Sequence, residues 1–336
     1  MKLVKWIAAL GLIGAATAVN AQTLEDIKKR GMVNCGVGTG LAGFAIADNQ
    51  GNWNGLDVDV CRAIAAAIFD DPSKVKFVSL SAKDRFTALQ AKEADLLSRN
   101  TTWTMSRDTT LGFNFAAVNY YDGQGFMVRK KNKIASALEL AGASVCVQQG
   151  TTTELNLADF FRANNMKFEA VVFATNDETL KAYESGRCDA FTTDASGLYA
   201  ERLRLAAVDD HMVLPEIISK EPLGPVVRHG DDQWFDIVKW THYAMITAEE
   251  LGVTKANLAE RLSSTNPDIR RLLGVEGDFG KDIGLTKDWG ARIVKHIGNY
   301  GESFERNVGM ASRLKIARGQ NSLWTKGGLQ YAPPIR

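Results

Sequence analysis

Apolar and polar positions alternate with two distinct periods along the chain, and the two periods succeed one another in a regular order. Met32 to Val37 (MVNCGV) has the look of a short buried strand. Asp57 to Phe69 then runs at helical period, with Val60, Ile64, Ala67 and Ile68 on one side. A strand over Val75 to Leu80, a helix over Asp84 to Lys92 and a strand over Asp95 to Ser98 follow. This βαβαβ succession points to an α/β fold with a mainly parallel sheet. A helix over Thr23 to Arg30, capped by Thr23 and halted by Gly31, precedes it. Between strand and helix, the Asn-, Gly- and Asp-dense stretch Ala45 to Gly55 reads as a hairpin turn.

A second succession of the same kind begins after residue 130. Strands are expected over Ser144 to Gln148, Phe168 to Phe173 and Asp189 to Thr193, with helices over Thr151 to Ala163 and Glu178 to Glu184. The fragment Arg85 to Asn100 (RFTALQAKEADLLSRN) lies over Thr179 to Asp194 without gaps. Each is an amphipathic helix, a turn, an Asp and an apolar strand with a polar end, so the architecture is duplicated. Asn100 and Asp194 fall at matching points just past a strand's carboxyl end, where open α/β sheets bind ligands. Tyr120 to Arg129 connects the halves, and the apolar stretch Met212 to Ser219 leads into PLGPVVR (Pro222 to Arg228). The chain thus crosses to a second lobe and returns. A long amphipathic helix over Gln233 to Leu251 and a Gly-rich, partly helical tail complete it.

The first residues stand outside this pattern. Lys2 and Lys5, the apolar run Trp6 to Ala16 and the small residues around Val19-Asn20-Ala21 form a secretory leader over 1–21, cleaved after Ala21. The apolar run is shorter than a membrane span requires. Removing the two lysines takes the formal net charge from +1 to −1, and the aromatic residues are not interleaved with basic clusters. Nothing here supports a nucleic-acid partner. For an exported chain the four cysteines read as two disulfides. Sequence order allows three connectivities. The pairing expected is Cys35–Cys61 and Cys146–Cys188, each tying a strand to a neighbouring element of its own half. With no C-x-x-C and four dispersed histidines, no metal site is expected.

Candidate chemistry sits at the strand ends. Gly38-Thr39-Gly40-Leu41-Ala42-Gly43 matches the G-x-G-x-x-G spacing of a dinucleotide turn, but runs into turn residues instead of a helix. Asp57 and Asp59 open a helix, where acids complement its dipole, and do not end a second strand. No cofactor is expected. The glycines are read as a sharp turn on the rim of a cleft, with Leu41 and Phe44 facing a ligand's side chain. Gln149 to Glu154 (QGTTTE) lies between strand and helix; Thr151 and Glu154 have capping-box spacing, and free N–H groups there suit a carboxylate. Arg107 follows the hydroxyl-rich NTTWTMS and can hold a carboxylate with its guanidinium fork. No nucleophile with an adjacent base can be assembled.

The segments GLDVDVCRAIAAAIF, ADLLSRNTTWTMSRD and VCVQQGTTTELNL, with GRCDAFTTD, resemble family 3 periplasmic solute-binding proteins over essentially the whole mature chain. Within that family they are similar to the broad-specificity L-amino-acid-binding components of ABC importers. The resemblance implies an α/β, two-lobed periplasmic-binding-protein fold of type II with two crossover hinge strands. Lobe 1 would comprise 22–126 and 220–336, including a C-terminal extension that small members lack, and lobe 2 would comprise 127–219. It implies a monomeric, non-enzymatic periplasmic protein that delivers L-amino acids to an inner-membrane ABC permease. Arg107 would clamp the ligand α-carboxylate, assisted by Thr102 and the backbone around Thr151 and Thr152. Asp194 would take the α-ammonium, helped by Asn100. Where the family often places aromatic residues over the ligand side chain, this chain has Leu41 and Ala82, which suits a roomier pocket. Other functions on such a scaffold are a cyclohexadienyl- or arogenate-dehydratase-like enzyme and a sensor for a signalling receptor.

Overall fold

Two runs of β-branched and apolar residues, each flanked by amphipathic helices, become the central strands of two separate sheets. The computed structural model describes residues 22–336, so the expected leader lies outside the described residues. In lobe 1, β1 (Val33–Val37) is followed by a hairpin of β2 (Ile46–Ala47) and β3 (Trp53–Asn54), then β4 (Val75–Ser79), β5 (Leu96–Leu97) and β6 (Phe113–Phe115). β1 pairs in parallel with both β4 and β5, in the register Cys35 to Phe77 and Cys35 to Leu96. Helices α1 (Thr23–Arg30), α2 (Leu56–Phe69) and α3 (Arg85–Gln90) cover it. In α1, Gly31 at φ 77° ends the helix as expected, but Thr23 is not its cap. It is the first helical residue and donates its backbone N–H to Asp231 Oδ2 at 3.0 Å.

The chain crosses through β7 (Tyr120–Asp122) into β8 (Gln124–Arg129). Lobe 2 then forms β9 (Ser144–Gln148), α4 (Thr152–Ala163), β10 (Glu169–Phe173), α5 (Asn176–Glu184), β11 (Ala190–Asp194), α6 (Ala195–Arg202) and β12 (His211–Val213). It returns through β13 (Glu221–Leu223) and β14 (Val226–Arg228). The sheet orders are β4-β1-β5-β14-β6 and β10-β9-β11-β8-β12. The two orders have one plan: a βαβαβ unit contributes three parallel strands, and the strand leaving a crossover adds antiparallel to the third. β7 and β13 pair with each other, Asp122 opposite Glu221, and form the two-stranded hinge, with Leu223 of β13 also bridging to Thr102. Residue 126, where the first stretch of lobe 1 is expected to end, lies within β8, whose residues 124–128 pair with β11.

The cysteines are joined as Cys35–Cys61, linking β1 to α2, and Cys146–Cys188, linking β9 to the turn before β11. The C-terminal half of lobe 1 begins with α7 (Asp232–Glu250) and includes α8 (Leu258–Arg261), α9 (Pro267–Leu272), α10 (Phe279–Asp282), α11 (Trp289–His296) and α12 (Tyr300–Asn307). Trp234, Ile237, Ile293, Tyr300 and Phe304 join Val33 and Ile64 in one buried cluster, so the extension belongs to the lobe 1 core. Gly43, at φ 83°, permits this: a Cβ there would meet Leu314 at 2.4 Å and Val308 at 2.9 Å. The extension also reaches the hinge. Asn321 Oδ1 accepts from Tyr121 N at 2.7 Å, and its Nδ2 donates to Tyr121 O at 3.0 Å. Tyr300 OH donates to Asn119 O at 2.9 Å.

A candidate ligand cleft between the lobes

The turn after β1, the loop after β5, the start of α4 and the end of β11 converge on one cavity between the lobes. Gly38, Thr39, Gly40, Leu41, Arg85, Arg99, Asn100 and Thr102 line it from lobe 1. Gln148, Thr151, Thr152, Thr153, Asn176, Thr193 and Asp194 line it from lobe 2. Of the residues singled out in the sequence, Leu41, Asn100, Thr102, Thr151, Thr152 and Asp194 therefore meet there. Phe44 does not: it is fully buried, edge-on to Tyr120 at 5.2 Å, because the turn directs its ring into the lobe 1 core. Ala82 is buried and also off the cavity wall.

Lobe 1 supplies positive charge. Arg85, Arg99 and Arg107 are all buried, and each guanidinium makes one hydrogen bond: to Thr101 Oγ1 at 3.4 Å, Leu80 O at 3.0 Å and Thr102 O at 2.8 Å. Arg107 is not among the lining residues; it packs on Phe86, its Cζ 5.2 Å from the ring centre, near enough to the cleft for the fields of Glu221 and Asp194 to reach it. Burial pulls Arg107 below its ordinary value and Arg99 to about 10. A π-helical turn over Ser106–Thr110 carries Arg107, an irregularity often found at functional sites.

Negative charge comes from the end of lobe 2 and from the hinge. Asp194 caps β11 and is buried; burial, then the neighbouring Asp122 and Glu221, hold its carboxyl well above the usual range. Asp122 is pushed up to about 6 by burial, against the bonds it accepts from Ser196 Oγ and Gly123 N. Glu221 receives Thr102 Oγ1 at 2.6 Å from lobe 1 and Thr152 Oγ1 at 2.9 Å and Asn156 Nδ2 at 2.7 Å from lobe 2. The Thr102 and Thr152 hydroxyl protons are thus taken up by Glu221, leaving their lone pairs for other partners.

The loops are held in place by groups with another expected role. Asp57 was read as an acid complementing a helix dipole. It accepts from Asn100 N at 2.8 Å, Asn119 Nδ2 at 3.2 Å and Ser98 Oγ at 3.4 Å, and so fixes the loop carrying Asn100. Burial raises it to about 6. Asp59 accepts from Ser303 Oγ, Arg306 Nη2 and Asn307 Nδ2, each at 2.6 Å, and binds α2 to α12. At the start of α4, Thr151 Oγ1 accepts from Glu154 N at 3.2 Å. Glu154 reaches back to Gly150 N, one residue short of a capping box. Thr151, Thr152 and Thr153 line the cavity at the start of α4, where the first backbone N–H groups have no intrahelical carbonyl partners.

Residues 33–256 match the family of bacterial extracellular solute-binding proteins, family 3. The chain belongs to that family. This solute-binding protein is 62% identical over 332 residues, 98% of its length and 97% of the relative's, to the general L-amino acid-binding periplasmic protein AapJ of Rhizobium johnstonii. It is 57% identical to the glutamate/glutamine/aspartate/asparagine-binding protein BztA of Rhodobacter capsulatus, covering 96% of this chain and 95% of that one. A periplasmic binding protein of Brucella ovis, solved with glutathione bound, superimposes at a TM-score of 0.92 with 61% identity, covering 94% of this chain and 99% of that one. The two-lobed α/β architecture is accordingly the type II periplasmic-binding-protein fold. Arg85, Arg99 and Glu221 had escaped the sequence reading. Arg99 stands beside Asn100 at the strand end, a usable signal; Glu221, 119 residues from Thr102, has none.

Proposed function

We propose that this protein captures free L-amino acids in the periplasm, between two closing lobes, and delivers them to an ABC-type permease. The observation that carries this reading is the polarity of the cleft: guanidinium groups on lobe 1 face carboxylates on lobe 2 and the hinge. A free amino acid has one carboxylate and one ammonium, and spans such a cleft in one orientation. Arg107 takes the α-carboxylate, with the N–H groups at Thr151 and Thr152 assisting; Asp194 takes the α-ammonium beside Asn100. These are charge-assisted hydrogen bonds in a water-poor site, each contributing about 1.5–3 kcal/mol. Because the anchors stand on different lobes, the ligand favours the closed arrangement, the differential affinity a closure switch requires. The names of AapJ and BztA agree with this ligand class. So does glutathione in the Brucella protein, whose γ-glutamyl end has a free α-carboxylate and α-ammonium. The buried acids of the cleft then serve as anchors or lobe ties, as suits a binding protein.

Calorimetry on the mature chain against the common amino acids tests this. Arg107→Ala should weaken all of them by about 2–5 kcal/mol, since a buried carboxylate loses its partner. Near-normal affinity in that variant sinks the Arg107 assignment. Turnover of prephenate would favour an enzyme instead.

A further inference from the structure

A second opening between the lobes lies outside the ligand cleft. It is a groove of about 500 Å³ with walls from three places: the glycine turn and β2–β3 hairpin of lobe 1, α6 and the residues after it in lobe 2, and the C-terminal extension. The groove continues from the cleft, because the glycine turn has a face in each: Leu41 lines the cleft, and Ala42 and Gly43 line the groove. On the other side, Asp194 in the cleft leads directly into α6, whose Ala200 lines the groove. Ala200 is buried in an apolar cluster that otherwise belongs to lobe 1 and the hinge, so the two walls stand together only while the lobes are closed. Three arginines, Arg204, Arg306 and Arg313, line the groove, and no acid does. Arg204 is paired with Glu201 and Asp177, and Arg306 with Asp59. Arg313 is exposed and has no ion pair or side-chain hydrogen bond among the described residues. Much of the remaining wall is apolar, Ile46, Leu203 and Leu314 included.

We propose that the closed protein docks on its permease through this groove, and that the occupant is an acidic periplasmic segment of the permease carrying an apolar side chain. This rests on the proposed delivery of amino acids to a permease and assigns the surface that the permease reads. The charge of the lining selects an acid: an incoming carboxylate meets Arg313 unopposed, and the apolar wall lets a neighbouring side chain be buried. The polar lining residues are half-buried or exposed, the make-up of a protein contact with an apolar floor and a polar rim. A small-molecule pocket instead has a few polar groups converging inside an enclosed cavity. Because each lobe supplies one wall, a segment seated in the groove has affinity for the closed form and little for the open one. Loaded protein is thereby distinguished from empty. The extension, which contributes Arg313 and Leu314, acquires a function beyond the lobe 1 core.

Measuring import and binding separately tests the groove. Cells whose own copy of the gene is deleted carry the wild type, Arg313→Ala, Arg313→Lys, Arg313→Glu or Leu203→Glu, matched for periplasmic amount, and take up radiolabelled L-glutamine. Calorimetry gives the affinity of each purified mature protein for the same amino acid. Arg313→Glu and Leu203→Glu, one on the extension and one on lobe 2, should each lower uptake by about ten-fold or more, because each sets an acid against the acidic segment. Arg313→Ala should lie between them and the wild type, and Arg313→Lys close to the wild type. Affinity should stay within about two-fold throughout, as for surface substitutions away from the cleft. Wild-type uptake in both Arg313→Glu and Leu203→Glu overturns the docking site, as does an uptake loss matched by an equal loss of affinity. Sedimentation that finds dimers of the mature protein, dissolved by Arg313→Glu, would assign the groove to a second copy and overturn it too. A wild type that binds no common L-amino acid contradicts the amino-acid function itself. Normal binding with undiminished uptake in the variants leaves that function standing and removes only the docking site.

Discussion

At the scale of single residues, burial decides what each charged group does. Asp57 and Asp194 are both Asp at the edge of a helix, yet one is bonded by three donors from its own lobe and the other has no hydrogen bond to its carboxylate from its surroundings among the described residues. Asp194 is the group left to receive a cation, and its raised pKa has a measurable consequence. Without ligand it is partly protonated over the range between ordinary carboxylates and its own raised value. An ammonium binds only the ionised form, so ligand binding expels the proton. Affinity for any amino acid should therefore rise as pH increases through that range and level off above it. Calorimetry in two buffers of different ionisation enthalpy should reveal net proton release; identical enthalpies in both would contradict the role. The helix at Asp57 was legible in the sequence, whereas its partners, Ser98, Asn100 and Asn119, were not. They come from two later loops.

Among the elements, those with a strong internal period stand where the pattern put them: β9 at Ser144–Gln148, α2 within one residue of its expected start, and α7 within one residue at each end. Errors fall at ends and connections, where the deciding contact is tertiary. Thr23 is the first helical residue and Gln22 holds the cap position, while Asp231, 208 residues away, accepts the Thr23 N–H as a cap would. The C-terminal extension gave no signal of purpose, yet Asn321 pairs with both backbone groups of Tyr121 on the hinge strand. Losing two hydrogen bonds and leaving partly buried backbone groups unpaired costs about 2–4 kcal/mol. Asn321→Ala should lower the denaturation midpoint accordingly, with Asn321→Asp intermediate because it keeps the acceptor. Chemical denaturation monitored by tryptophan fluorescence measures it, and an unchanged midpoint would mean that the extension does not brace the hinge.

Across the whole molecule, one side chain on the hinge ties the two lobes together. Glu221 sits on the return strand of the hinge and holds Thr102 of lobe 1 and Thr152 of lobe 2 at the same oxygen. The contact exists only when the lobes meet, Thr102 Oγ1 lying 3.3 Å from Thr152 Oγ1. Glu221→Gln replaces a charged acceptor by a neutral one and should destabilise the closed form by about 1–2 kcal/mol. Because the lost contact forms after encounter, the change should appear as ligand dissociation roughly ten-fold faster, with association nearly unchanged. Stopped-flow fluorescence separates the two rates. A variant with wild-type dissociation would remove Glu221 from the closure mechanism.

By itself the sequence determined the duplicated βαβαβ plan and the strand ends that line the cleft, while among three cysteine connectivities the structure shows the expected one. The plan and the strand ends follow from periodicity and from spacing within one half of the chain, both local quantities. Only the tertiary structure decided that the glycine turn presents Leu41 to the cleft but turns Phe44 into the core. It alone brought Arg85, Arg107, Asp194 and Glu221 within reach of one another's fields. Charge convergence of that kind depends on how two lobes and a hinge meet, and no local pattern encodes the meeting.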